Sequence, residues 1–177
     1  MIIMINGSFG VGKSTTAAAL AERLPEAIIF DPELVGHFAR YLTNGLRTGA
    51  EDTDDFQDIR MWPQLTIDTA RQLVQCYGRP LIVPMTLANR SSFEHIRAGF
   101  AALAPVYHFC LVASLPTIQG RLQSRGDAPG SWPWRKAEQY GPRLNDPTFA
   151  THLDTEQHSV AEIVEQVLAR LPSRAAL

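Results

Sequence analysis

The stretch INGSFGVGKST, residues 5–15, sets Gly7, Gly12, Lys13 and Ser14 in the order G-x-x-x-x-G-K-S. Each residue type has a reason at its place. Glycines let backbone N–H groups turn inward around a phosphate chain, and the start of a following helix adds its positive dipole end. A lysine then reaches the outer phosphates, while a serine hydroxyl binds Mg2+. The spacing predicts a nucleotide cradle over Gly7, Ser8, Phe9, Gly10, Val11, Gly12, Lys13, Ser14 and Thr15, with Lys13 on the β and γ phosphates and Ser14 on the metal. Thr15 adds a hydroxyl near the α phosphate, or with Thr16 is an ordinary first-turn residue. The Asn/Thr-Lys-x-Asp pattern by which GTPases read guanine is missing from the sequence, so ATP with Mg2+ is the expected ligand.

A phosphate cradle becomes a catalyst only with groups that handle the transferred charge and the acceptor's proton. Arg121 and Arg125 in TIQGRLQSRG stand four residues apart, one helical turn, and two guanidiniums so placed suit the charge on a transferring phosphoryl group. A solvated basic face is the plainer alternative. Arg135 and Lys136 are weaker candidates of the same kind. Asp31 closes the apolar run AIIFD at a strand end, where open α/β sheets bind ligands, and could accept a hydroxyl proton or hold a Mg2+-bound water. It also precedes Pro32 as a helix cap, and the two roles can coexist. The segment LIVPMT ends in Thr86 with no carboxylate where one would look first, which places more weight on Asp31, and Thr86 becomes a possible substrate contact. Phe38, Tyr41, Trp62, Trp132 and Trp134 could wall an apolar acceptor pocket or belong to the core. Asp54, Asp55 and Asp58 read as a solvated helix start rather than a metal cluster.

Positioning these groups requires alternating strands and helices. Short apolar runs at 2–6, 27–30, 80–86, 106–113 and 150–154 alternate with segments of helical period, the pattern of a parallel sheet covered on both faces. Ala17, Leu20, Ala21 and Leu24 mark a helix over 13–24 that Pro25 ends. Leu34, Phe38 and Leu42 line one face of the helix after Asp31. Residues 50–58 are expected to open another helix, interrupted near Trp62-Pro63 and running on to Tyr77 with Gly78 as its cap. Ser91 with Glu94, and Ser159 with Glu162, read as capping boxes of two packed helices. Residues 126–142 mix Gly, Pro, Trp and Tyr with basic residues and are expected to form a mobile flap or lid.

With 177 residues the chain suits one domain, residues 1–177, and its formal net charge of −2 with no dense basic run argues against a nucleic-acid partner. Cys76 and Cys110 are 34 positions apart in apolar surroundings and read as buried free thiols. The apolar run Met1–Ile5 is too short for a signal peptide or a membrane span, so a cytoplasmic location without stable membrane insertion is expected.

Taken together, MIIMINGSFGVGKST, FDPELVG, DDFQDIRMW, LIVPMT, GRLQSRG and SVAEIV resemble the tunicamycin-resistance ATP-binding protein family, within the small P-loop kinases that include chloramphenicol phosphotransferase and the shikimate and gluconate kinases. The resemblance implies an α/β three-layer fold with a five-stranded parallel sheet of order 2-3-1-4-5, nucleotide on Gly7 to Thr15, and a lid led by Arg121 and Arg125. It implies for Asp31 the general-base role that an aspartate after the second strand has in chloramphenicol phosphotransferases. It also implies ATP binding, antibiotic resistance and an amphiphilic small-molecule acceptor with several hydroxyls, such as tunicamycin or a related nucleoside or amino-sugar compound. Three activities stay open on this reading: phosphorylation of the drug, ATP-gated sequestration of it, and a housekeeping nucleoside or sugar kinase.

Overall fold

The computed structural model describes residues 1–172. Strands β1 (Ile2–Gly7), β2 (Ile28–Ile29), β3 (Leu81–Met85), β4 (Val106–Val112) and β5 (His152–Asp154) form a parallel sheet in the order β2-β3-β1-β4-β5. The order is the one expected. Both faces of the sheet are covered, by α1 (Lys13–Arg23), α2 (Pro32–Leu42), α3 (Trp62–Tyr77), α4 (Arg90–Ala101), α5 (Leu115–Ser124), α6 (Trp132–Leu144) and α7 (Val160–Leu168). Alternation along β1 divides the core. Ile2 and Met4 join Val35, Ala39, Ile67 and Phe93 of α2, α3 and α4, whereas Ile3 and Ile5 join Leu20, Ile118, Leu122 and Val164 of α1, α5 and α7. Among the described residues no helix is long and apolar enough to cross a membrane.

Pro84 lies inside β3 and removes a donor from a buried strand. Phe30 donates its N–H to Ile82 at 2.9 Å, so Ile82 faces β2; Pro84, two residues on, faces the same side beyond the end of that short strand.

Several expectations need correction. Helix α2 buries Pro32, Val35, Gly36 and Ala39, while Leu34, Phe38 and Leu42 are 69%, 52% and 46% exposed. The cause is close packing on the small-residue face: a Cβ on Gly36 would lie 2.4 Å from the Phe56 ring. Residues 49–58 do not open an α-helix but make two short 3-10 turns, Gly49–Glu51 and Phe56–Asp58, and Trp62-Pro63 begins α3 instead of interrupting it. Proline lacks an N–H that the first helical turn cannot use, so it suits that place. Gly78 caps α3 as expected, with φ of 62° and its N–H on Val74 O at 2.9 Å.

The expected capping box at Ser91 is absent. Asn89 caps α4 by accepting from Ser92 N at 3.1 Å, and Glu94 pairs with Arg90 at 2.7 Å. Ser159 and Glu162 do form their box at the start of α7. The 126–142 segment is largely helix α6, started by Ser131 and the Pro133 near its first turn, with Pro142 accommodated in its last turn. Cys110 is buried, but Cys76 on α3 is exposed.

Candidate active site

The cradle is built by the switch from β1 to α1. Gly12 caps α1 with φ of 105° and Gly10 turns with φ of 76°, conformations that L side chains rarely adopt. The two glycines are needed for different reasons. A Cβ on Gly10 would lie 2.9 Å from Leu122 Cγ on α5, whereas one on Gly12 meets nothing within 4 Å and would project into open space. That space belongs to a cavity of about 700 Å3 lined by the loop from Phe9 to Thr16. On the β3 and β2 side of β1 it reaches Pro84, Asp31 and Glu33; on the β4 and β5 side it reaches Arg121, Thr155 and His158.

Lys13 is 8% exposed, donates from Nζ to Ser8 O at 2.9 Å, and stands 5.2 Å over the Phe9 ring. Burial pushes its pKa from the ordinary 10.5 down to about 8, against the pull of the nearby Glu33 carboxylate. Glu33 is shifted the other way: burial raises its carboxyl above the ordinary range, and Lys13 opposes that. Asp31 caps α2, its Oδ1 accepting from Glu33 N at 2.9 Å, and lines the same cavity. Capping and a place in the cavity therefore coexist, and two carboxylates, not one, stand across from the lysine. Glu33 was not singled out from the sequence. Its signal was the Asp-Pro-Glu spacing, which puts Asp31 and Glu33 at the cap and the first turn of one helix.

Arg121 and Arg125 both line the cavity, but their partners differ. Arg121 donates to Thr155 O at 2.6 Å, Thr155 Oγ1 at 2.9 Å and Val11 O at 3.3 Å, pinning the P-loop to the end of β5. Arg125 is 58% exposed and pairs with Asp127 at 2.6 Å. Trp132, the first residue of α6, also lines the cavity and meets Phe9 of the P-loop edge-on, with ring centroids 4.9 Å apart. Its indole N–H is buried without a partner.

The other aromatic expectations fare differently. Trp62 is core, 1% exposed, with its N–H donated to Pro32 O at 3.1 Å, so it holds the start of α2 and does not wall the cavity. Phe38 lies on the exposed face of α2, Tyr41 is 79% exposed, and Trp134 donates to Glu138 at 2.9 Å. Thr86 is buried just beyond Pro84, its hydroxyl without a partner, but it is outside the cavity lining.

The acidic run also departs from its expected solvation. Asp55 is 0% exposed and accepts from Gln57 N at 2.9 Å, from Tyr140 Oη at 2.5 Å and from Lys136 Nζ at 2.9 Å. Burial, and then the Asp55 carboxylate, raises the Tyr140 phenol. Arg135 reaches Asp54 at 3.4 Å, so α6 grips residues 54–55 with three side chains. Among the described residues no group of three or more His, Cys, Asp or Glu could hold a metal ion.

Comparison with known proteins places this geometry. A family model described as AAA domain matches residues 2–140. The tunicamycin resistance protein from Deinococcus radiodurans superposes with a TM-score of 0.76 at 31% identity, over 96% of this chain and 94% of that one. Two further structures share the fold at lower identity. A gluconokinase from Sinorhizobium meliloti gives a TM-score of 0.65 at 20% identity, over 94% of this chain and 89% of that one. Shikimate kinase from Acinetobacter baumannii gives 0.60 at 16%, over 94% and 90%. None of the curated proteins matches. The chain belongs to the AAA domain family and, among its P-loop kinase-like members, to the family of the tunicamycin resistance protein.

Proposed function

We propose that residues 1–177 form one kinase domain that transfers the γ-phosphoryl group of ATP to a hydroxyl of a small molecule, tunicamycin or a related nucleoside or amino-sugar compound. The observation that carries the reading is the cavity itself, in which the Asp31 and Glu33 carboxylates stand with the Lys13 cradle. Nucleotide with Mg2+ fits the residues present. The concavity at Gly12 is open, Lys13 Nζ donates to the backbone carbonyl of Ser8 beside the Phe9 ring, and Ser14 lines the same wall. When bound, Mg-ATP supplies the phosphoryl group and the metal charge that offsets its oxygens.

The chain's own residues do the rest. Lys13 exchanges Ser8 O for phosphate oxygen and, with Arg125, neutralises charge on the transferring group. Arg121 keeps Val11 and Thr155 in place, holding the cradle's shape. Asp31 has one oxygen committed to the helix cap, which leaves the other to accept the acceptor hydroxyl's proton. Glu33 stands beside it as a second carboxylate, held toward its neutral form by burial. Phe9 and Trp132 close apolar surface over the P-loop and exclude water, and α6 serves as the lid. The relative's link to tunicamycin supports the acceptor class and a role in resistance, exercised where ATP is available, in the cytoplasm.

The test is mass spectrometry of tunicamycin incubated with the protein and Mg-ATP, beside Lys13→Ala, Asp31→Asn and Glu33→Gln. Gain of one phosphoryl group by the wild type, lost in Lys13→Ala and slowed roughly 100-fold or more in Asp31→Asn, is the expected result. Asparagine retains the capping oxygen, so that variant tests chemistry rather than folding. Drug that binds in an ATP-dependent way yet stays unmodified would overturn phosphorylation in favour of sequestration.

A further inference from the structure

We infer that His158 selects adenine over guanine by accepting a hydrogen bond from the exocyclic amine of the base. The inference rests on the reading of the cavity as an ATP site. Asp31 and Glu33 mark the β2 side as the end where the phosphoryl group leaves, so the base belongs at the β5 side. There the cavity is lined by Arg121, Thr155, His158, Val160 and Ile163. Val160 and Ile163 give apolar surface, and Arg121 is pinned by its three hydrogen bonds, so a planar ring has walls to lie against.

The polar edge is set by the state of His158. Its Nδ1 lies 3.0 Å from Asp154 O, and a carbonyl oxygen only accepts, so Nδ1 carries the hydrogen. In the neutral ring Nε2 is then a bare acceptor. Adenine presents an amine at C6, whereas guanine presents a carbonyl oxygen there, so the first meets a partner and the second meets a lone pair.

The loop that carries His158 is fixed at several points. Asp154 Oδ1 accepts from Glu156 N at 2.8 Å and Gln157 N at 3.2 Å. The Glu156 carboxylate accepts from Ser114 N at 2.8 Å and Thr117 Oγ1 at 2.6 Å, tying the loop to the start of α5. Ser159 then enters the capping box of α7. A ring held this way reads the base without first being ordered by it.

The experiment is calorimetric titration of wild type and His158→Ala with the magnesium salts of ATP, GTP and purine riboside triphosphate, which carries only hydrogen at C6. Wild type should bind ATP about fivefold more tightly than purine riboside triphosphate, the value of one net hydrogen bond, and GTP more weakly still. In His158→Ala the ratio of ATP to purine riboside triphosphate should fall to within about twofold, with the affinity for purine riboside triphosphate unchanged. Equal weakening of both ligands would show that His158 only supports the loop, and an unchanged ratio would show that it does not touch the amine; either overturns the inference while leaving an ATP site. Wild type that binds none of the three overturns the ATP reading and the inference with it.

Discussion

Raising the pH should weaken nucleotide binding through Lys13 alone. Burial lowers this lysine from 10.5 to about 8, which corresponds to about 3 kcal/mol of disfavoured charge. A bound phosphate chain restores the charged form, so deprotonation competes with binding. With the free-protein pKa at about 8 and that of the complex above the range tested, the apparent Kd should rise by a factor of about 1 + 10^(pH − 8). That is about twofold at pH 8 and about 30-fold at pH 9.5, where the triphosphate itself no longer titrates. Calorimetry in two buffers of different ionisation enthalpy gives a second reading, uptake of about half a proton on binding at pH 8 and about 0.9 at pH 9. Lys13→Arg, charged throughout, is the control and should bind with a flat pH profile. A flat profile in wild type, or the same fall in Lys13→Arg, would refute the argument. The sign is opposite for folding. The folded pKa lies below the unfolded one, so the unfolded chain binds more protons between about pH 8 and 10.5, and the unliganded protein gains stability as pH rises through that window.

Other outcomes follow from packing. Asp55→Ala strands the Tyr140 hydroxyl and the Lys136 ammonium, which should cost about 3–5 kcal/mol in urea unfolding; a loss under about 1 kcal/mol would show that water replaces the carboxylate. Gly12→Ala should abolish nucleotide affinity at a cost of about 1–3 kcal/mol in stability, because its Cβ meets only the cradle; Gly10→Ala adds a clash with Leu122 and should unfold more easily, by thermal denaturation of the two side by side. A thiol reagent at neutral pH should label Cys76 and spare Cys110, which is buried and pushed up to about 12, so mass spectrometry should find one adduct per native chain and two after unfolding.

What was legible in the sequence was what local chemistry determines. The cradle is contiguous, and the period of the apolar runs follows strands and helices, so Gly7 to Thr15 and a parallel sheet covered on both faces could be read from the residues, whereas the strand order came from the family resemblance. The capping box of α7 is contiguous as well. The misreadings arise where a distant residue decides. Nothing local says that Phe56 will press on Gly36 and turn the Leu34, Phe38 and Leu42 face of α2 outward. An acidic run reads as solvated until Tyr140 and Lys136 arrive from 80 or more residues away to bury Asp55. Glu33 and His158 join the cavity through the chain reversals after β2 and β5, which no periodicity reveals. Arg121 lines the cavity and also donates to Val11 of the P-loop and to Thr155, a partner that only the β5 crossover supplies.

Helix α6 touches the P-loop at one end through Trp132 on Phe9 and the 54–55 segment further along through Lys136 and Tyr140 on Asp55. This makes the helix a shared support of the P-loop and of the 54–55 segment. A homologue could not exchange residues 50–60 for a loop of another sequence and keep this helix unchanged, because the incoming loop would have to bring its own carboxylate or find a helix without the lysine and tyrosine. Divergence of this loop should therefore proceed by paired replacement of the loop and the helix. Chimaeras that transplant both together should keep their fold, and those that transplant one should lose it.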